Sequence, residues 1–166
     1  MNTKTRKFLI ATHGALAAGF RSSLELIAGA SDAVHILQAY LDESGPVEEE
    51  LAALFRQAGE DEEWVVFSDL LGGSITNQLV LAASRVGAGA AAGTGATTAS
   101  VGATAGMGAN IHIIAGFNLP LLIEVVLSDP QMPVEEMIEE AIGRAREQLV
   151  YVNKLITQKN NESENA

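Results

Sequence analysis

Residues Lys7 to Gly19 read K-F-L-I-A-T-H-G-A-L-A-A-G. Phe8, Leu9, Ile10 and Ala11 form an apolar run that reads as a short buried strand. Thr12, His13 and Gly14 interrupt it, and an alanine-rich segment of strong helix formers follows. Strand, tight turn and helix in that order are the opening unit of a parallel α/β sheet, in which ligands meet the carboxyl ends of the strands. His13 stands at such an end, beside a glycine that lets another backbone approach. A histidine so placed is a candidate nucleophile or base.

The pattern repeats along the chain. Leu16, Phe20, Leu24 and Ile27 mark one face of a helix that Gly29 ends. Val34 to Leu41 reads as a second strand, and Asp42 to Pro46 as a turn cluster with Pro46 in the first turn of the next helix. That helix runs to about Ala58, with Val47, Leu51 and Leu54 inward and Glu48 to Glu50 outward, and Gly59 to Glu63 breaks it. Trp64 to Phe67 is a third strand, with Ser68 and Asp69 at its carboxyl end. A second glycine turn, Leu70 to Ser74, leads into a helix over Ile75 to Val86. Ile111 to Ala115 is a fourth strand, followed by Gly116-Phe117-Asn118 and a short helix opened by Leu119-Pro120. The helix from Pro133 to about Leu149 is acidic first and basic last, matching its macrodipole. Residues 149–156 fit a final strand or a helical continuation, and 158–166 form a polar tail expected to fray.

Strands alternating with helices at this spacing predict an α/β fold: a doubly wound, mainly parallel sheet with helices on both faces. In the order 2-1-3-4 the first and third strands are neighbours, so their carboxyl ends meet at the topological switch point. Those ends carry His13 and Asp69. One segment departs from the rhythm. Gly87 to Ala109 holds nine alanines, seven glycines and four threonines in 23 residues, too little apolar volume for a core. It is expected to be a peripheral, partly mobile loop or flap inserted in a single domain spanning 1–157.

The totals narrow the class. A chain of 166 residues, 48% hydrophobic, fits one domain with a proper core. It contains no apolar run long enough to span a bilayer, and Lys4, Arg6 and Lys7 are not followed by a secretory signal. The absence of cysteine removes disulfides and thiolate ligands, so the cytoplasm is the expected compartment. Ten basic against 21 acidic residues, a formal charge of −11, argue against nucleic acid or an anionic membrane as partner; on charge alone solubility is the first reading, and a basic protein partner the second.

His13 alone is weak grounds for chemistry, since lone histidines are more often structural. Asp69 raises the odds: a carboxylate on one ring nitrogen fixes the tautomer and stabilises positive charge, leaving the other nitrogen nucleophilic. As a lone residue Asp69 reads equally well as a turn or helix cap. Gly72, Gly73 and Ser74 offer backbone N–H groups and a hydroxyl at a helix start, a natural anion cradle or an ordinary capped turn. Together they describe a phosphate-accepting histidine with its orienting carboxylate and cradle, without a metal or cofactor. Thr12, Gly14 and Asn118 are candidates for the rim. His35 and His112 fall near the starts of strands and are read as structural. Gly87 to Gly93 fits G-x-G-x-x-x-G, but it follows a helix instead of a strand in low-complexity sequence. It carries little weight for the nucleotide-binding oxidoreductase it would imply.

Three patches, A-T-H-G-A-L-A-A-G-F (Ala11–Phe20), F-S-D-L-L-G-G-S-I-T-N (Phe67–Asn77) and I-I-A-G-F-N-L-P-L-L-I-E (Ile113–Glu124), resemble the IIA component of the mannose/fructose/sorbose-type bacterial sugar phosphotransferase systems. The resemblance implies a phosphotransferase that takes a phosphoryl group on His13 from the phosphocarrier HPr. It passes the group to a separate IIB component, which serves the membrane IIC and IID subunits. Asp69 would then hold the unphosphorylated ring nitrogen, and Gly72, Gly73 and Ser74 the phosphoryl group. A homodimer is also implied, with residues 149–156 as an exchanged strand. The chain departs from many members at Ile75-Thr76, where they have Pro-Phe, and in the length of the Gly/Ala insertion. A phosphocarrier for dihydroxyacetone kinase ranks second, because D-x-x-G-G-S and G-x-N-L-P are present. A histidine-phosphorylated regulatory module is a further alternative.

Overall fold

A computed structural model describes residues 4–41, 46–57, 59, 61–91 and 110–157. Its backbone divides into two units, the first ending at Leu119 and the second starting at Pro120. In the first unit, β1 (Thr5–His13), β2 (Val34–Ala39), β3 (Glu62–Ser68) and β4 (Ile111–Ala115) form one sheet. The order is 2-1-3-4 and every pairing is parallel. That is the predicted fold.

Strand β1 is buried from Phe8 to Thr12, as an unbroken apolar run in a doubly covered parallel strand should be. Alternate residues serve opposite faces. Leu9, Ala11, Leu37, Trp64 and Val66 join the core with Val47, Leu51 and Phe55 of α2 (Val47–Arg56) and Ile75, Leu79 and Ala83 of α3 (Ser74–Ala91). On the other face α1 (Leu16–Ala28) brings Phe20 within 4.4 Å of the Phe117 ring, which in turn lies 5.3 Å from Phe67. Burying side chains of this size contributes about 1.5–3 kcal/mol each.

Two elements differ from the expectation. Glu62 and Glu63, expected in a break, are the first residues of β3. They pair with Thr5 and Arg6 of β1, and Arg6 meets Glu63 at 2.9 Å while Lys7 meets Glu62. Cross-strand charge pairing thus extends both strands beyond their apolar centres. Strand β2 ends at Ala39 instead of Leu41, because Tyr40 has φ 62° and turns the chain out of the sheet.

Helix α3 continues through Ala91, so Gly87 and Gly89 lie on a helical backbone and not in a strand-to-helix turn. The rest of the insertion, read as a mobile flap, and the tail at 158–166 lie outside the described residues. In the second unit, α4 (Leu119–Val126, reaching back one residue across the division) buries Leu121, Leu122 and Val125. Helix α5 (Val134–Glu147) buries Val134, Met137, Ala141 and Ala145. Arg144 of α5 binds Glu124 of α4 at 2.6 Å. Of the two readings left open for 149–156, neither a strand nor a continuation of α5 is formed: 149–151 are irregular, and 152–157 form a separate short helix, α6. The exchanged antiparallel strand is not formed within one chain, where the described sheet has four parallel strands. No helix among the described residues is long and apolar enough to cross a membrane.

Candidate phosphoacceptor site

His13 is the last residue of β1, and Asp69 follows the last residue of β3. Register sets them side by side, since Ala11 pairs with Ser68 across the two strands. The Asp69 carboxylate accepts the His13 backbone N–H at 3.0 Å, and the ring Nδ1 lies 2.9 and 3.1 Å from its two oxygens. Partial burial works to raise the Asp69 carboxyl, but the hydrogen bonds from the His13 backbone and ring outweigh it. The carboxyl therefore sits below the usual aspartate range. A carboxylate has no proton to give, so Nδ1 carries the hydrogen and Nε2 presents its lone pair.

Nε2 faces the start of α3, 3.2 Å from Ser74 Oγ. The His13 side chain keeps 38% of its surface exposed and Asp69 15%, an open imidazole held by a largely covered partner. The loop between them is built for close approach. A Cβ on Gly73 would stand 3.3 Å from His13 Cε1 and 3.0 Å from the Leu70 carbonyl oxygen. Gly72 has φ 76°, a left-handed conformation that favours glycine. Thr76 donates its hydroxyl to the Leu70 carbonyl at 2.6 Å and meets Ser68 Oγ at 2.6 Å, tying the start of α3 to the end of β3. Ile75 beside it is fully buried. The Ile75-Thr76 departure is thus a core contact followed by a hydroxyl clasp.

Two expected residues, Gly73 and Thr12, take different parts. The Gly73 N–H donates to the Leu70 carbonyl at 3.0 Å and is already engaged within the turn, so Gly73 makes room instead of cradling. Thr12, expected at the rim, is fully buried, and its hydroxyl accepts the Ala17 N–H at 2.7 Å in the first turn of α1. Gly14 donates its N–H to the Ala39 carbonyl at 2.8 Å, joining the ends of β1 and β2. Asn118 follows β4, which β3 separates from β1. His35 and His112 are the second residues of β2 and β4, at the opposite end of these parallel strands from His13. His35 packs 5.2 Å from the Trp64 ring, and burial, then Lys7 and Arg21, push its pKa down.

Two residues were missed. The Tyr40 hydroxyl donates to Ser74 Oγ at 2.9 Å, and the Gln78 amide donates to the Tyr40 hydroxyl at 3.3 Å. Gln78 was legible as the residue one helical turn beyond Ser74. Tyr40 was not legible, because the sequence places it inside the strand read over Val34 to Leu41 and its left-handed turn shows only in the structure.

The protein is thus a doubly wound α/β domain with a carboxylate-held histidine at its switch point. The sequence profile of the PTS system fructose IIA component family matches residues 7–89, and the chain belongs to that family. Its fold is similar to that of a protein from Klebsiella pneumoniae assigned as a phosphoenolpyruvate-dependent sugar phosphotransferase system permease. That similarity has TM-score 0.74 and 28% identity, and covers 94% of this chain and 97% of the other. It is also similar to phosphotransferase system component EIIA from Streptococcus agalactiae, with TM-score 0.63 and 26% identity over 90% of this chain and 99% of the other. The IIA protein associated with the fucose utilization operon of Streptococcus pneumoniae shares the fold at TM-score 0.63 and 24% identity, over 94% and 99%. No curated protein matches the chain. The protein is a IIA-type component of a sugar phosphotransferase system.

Proposed function

We propose that this protein is a phosphohistidine carrier. In this reading Nε2 of His13 attacks the phosphorus of phosphorylated HPr. The new N–P bond forms as the donor's N–P bond breaks, and the donor imidazole keeps the electron pair. His13 retains its Nδ1 hydrogen, so the phosphorylated ring carries positive charge that Asp69 balances. The reverse chemistry then delivers the group to a histidine of a IIB component. The observation that carries this reading is the pairing of Nδ1 with Asp69 while Nε2 points at Ser74 on an open edge. Phosphoryl transfer needs mainly positioning and charge stabilisation, and Ser74 and the first turn of α3 supply donors for the arriving oxygens. Gly72 shapes that approach.

A homodimer in the cytoplasm completes the proposal. In support of the dimer, Leu149, Tyr151, Val152 and Ile156 expose 87%, 72%, 56% and 55% of their surfaces, an apolar run that a second subunit would cover. The test is incubation with phosphoenolpyruvate, enzyme I and HPr, followed by mass spectrometry without acid. An acid-labile phosphate on His13, absent without HPr and in His13→Ala, is expected. An unmodified His13 beside active HPr would sink the reading.

A further inference from the structure

Among the described residues Tyr40 is the one non-glycine residue with positive φ, at 62°. A bulky side chain takes that conformation only at a cost, and such outliers gather at functional sites. Core packing does not explain it here, because Tyr40 is 57% exposed. The turn instead directs the ring toward the site. The Tyr40 and His13 rings lie 5.7 Å apart between centroids, tilted by 30°, and the phenol hydroxyl reaches Ser74 Oγ at 2.9 Å.

The direction of these hydrogen bonds is fixed at the Asp69 end. Asp69 requires the hydrogen on Nδ1, so neutral His13 offers Nε2 as an acceptor, and Ser74 must donate to it. The Ser74 oxygen is then free to accept, and Tyr40 donates to it. The Tyr40 oxygen accepts in turn from the Gln78 amide. Every donor in the series Gln78, Tyr40, Ser74 points toward the His13 lone pair.

We infer that Tyr40 is a positioning residue for phosphoryl transfer at His13, acting through Ser74; this rests on the phosphocarrier reading above. Before transfer the Ser74 hydroxyl occupies the nucleophilic lone pair. When Nε2 forms its bond to phosphorus and the donor's N–P bond breaks, that hydroxyl must leave the nitrogen and turn to a phosphoryl oxygen. Tyr40, held by Gln78, keeps the outer side of the Ser74 oxygen engaged, so its hydrogen turns inward to the arriving group instead of outward to water. No proton is gained or lost in the step.

The experiment measures transfer from phosphorylated HPr to wild type, Tyr40→Phe, Ser74→Ala and the double variant. It also records the nitrogen NMR signal of Nε2 in each unphosphorylated protein. Tyr40→Phe keeps the ring and removes only the hydroxyl. It should slow transfer about tenfold with the KM for HPr little changed, yet change the rate by less than about twofold in the Ser74→Ala background. The Nε2 signal should move on Tyr40→Phe only when Ser74 is present. A wild-type rate in Tyr40→Phe, an equal loss in both backgrounds, or a rise in KM alone would overturn the proposal. A wild type that takes no phosphate would instead sink the carrier reading. The NMR comparison needs no donor and decides the coupling of Tyr40 to Ser74 by itself.

Discussion

His13 has two unlike nitrogens because Asp69 treats them differently. The carboxylate holds both the backbone N–H and Nδ1 of the same residue, which locks the ring plane as well as its tautomer. Asp69→Asn keeps the shape, but its amide NH2 can donate to Nδ1 and so hold the wrong tautomer. It should lower the rate of His13 phosphorylation about a hundredfold, measured with phosphorylated HPr in single turnovers; an unchanged rate would contradict the orienting role. The same carboxyl also gives a signed pH effect. Its folded value is depressed, so the native state binds fewer protons than the unfolded state. The stability it contributes is complete above the ordinary aspartate value of about 3.9 and lost as pH falls through the lower folded value. The stability gap between wild type and Asp69→Asn, from denaturant unfolding, should therefore shrink in acid. A gap that widens there would contradict the assignment.

At the scale of elements, the site depends on how β3 hands over to α3. Leu70 receives both the Gly73 N–H and the Thr76 hydroxyl on one carbonyl, which fixes the turn that aims Ser74. Thr76→Val removes the clasp and leaves Ser68 without its buried hydroxyl partner. It should cost about 1–3 kcal/mol, read from denaturant midpoints, and a neutral result would mean that the clasp is incidental. Gly73→Ala puts a methyl against the His13 ring and the Leu70 carbonyl. It should destabilise by about 1–3 kcal/mol and slow phosphorylation at the same time, whereas loss of stability with full activity would separate turn from site. The glycines and Asp69 were legible in the sequence because a turn at the end of an apolar strand has few readings. The engagement of the Gly73 N–H was not, since a cradle and a closed turn use the same residues. The charged start of β3 was hidden for a similar reason: Glu62 and Glu63 look like a break until Arg6 and Lys7 are set opposite them. Tyr40 was missed because a left-handed tyrosine leaves no mark in a hydropathy pattern.

At the scale of the molecule, alternation of strand and helix predicted a parallel doubly wound sheet, and the common order 2-1-3-4 taken for such a sheet is what brings residues 13 and 69 together. The fate of 149–156 was not decidable from pattern, because a short apolar segment suits either structure until its surroundings are fixed. The charge of −11 gives a molecular prediction. Association with a donor that docks through a basic face should slow at least about tenfold between low and high salt. Stopped-flow rates independent of salt would instead mean an apolar docking face. The central claim, that Asp69 reserves Nδ1 and leaves Nε2 to react, is tested most directly by NMR of the phosphorylated protein. Couplings of the His13 ring nuclei to phosphorus identify the modified nitrogen, and attachment at Nε2 is expected. Phosphorus on Nδ1 would contradict the claim.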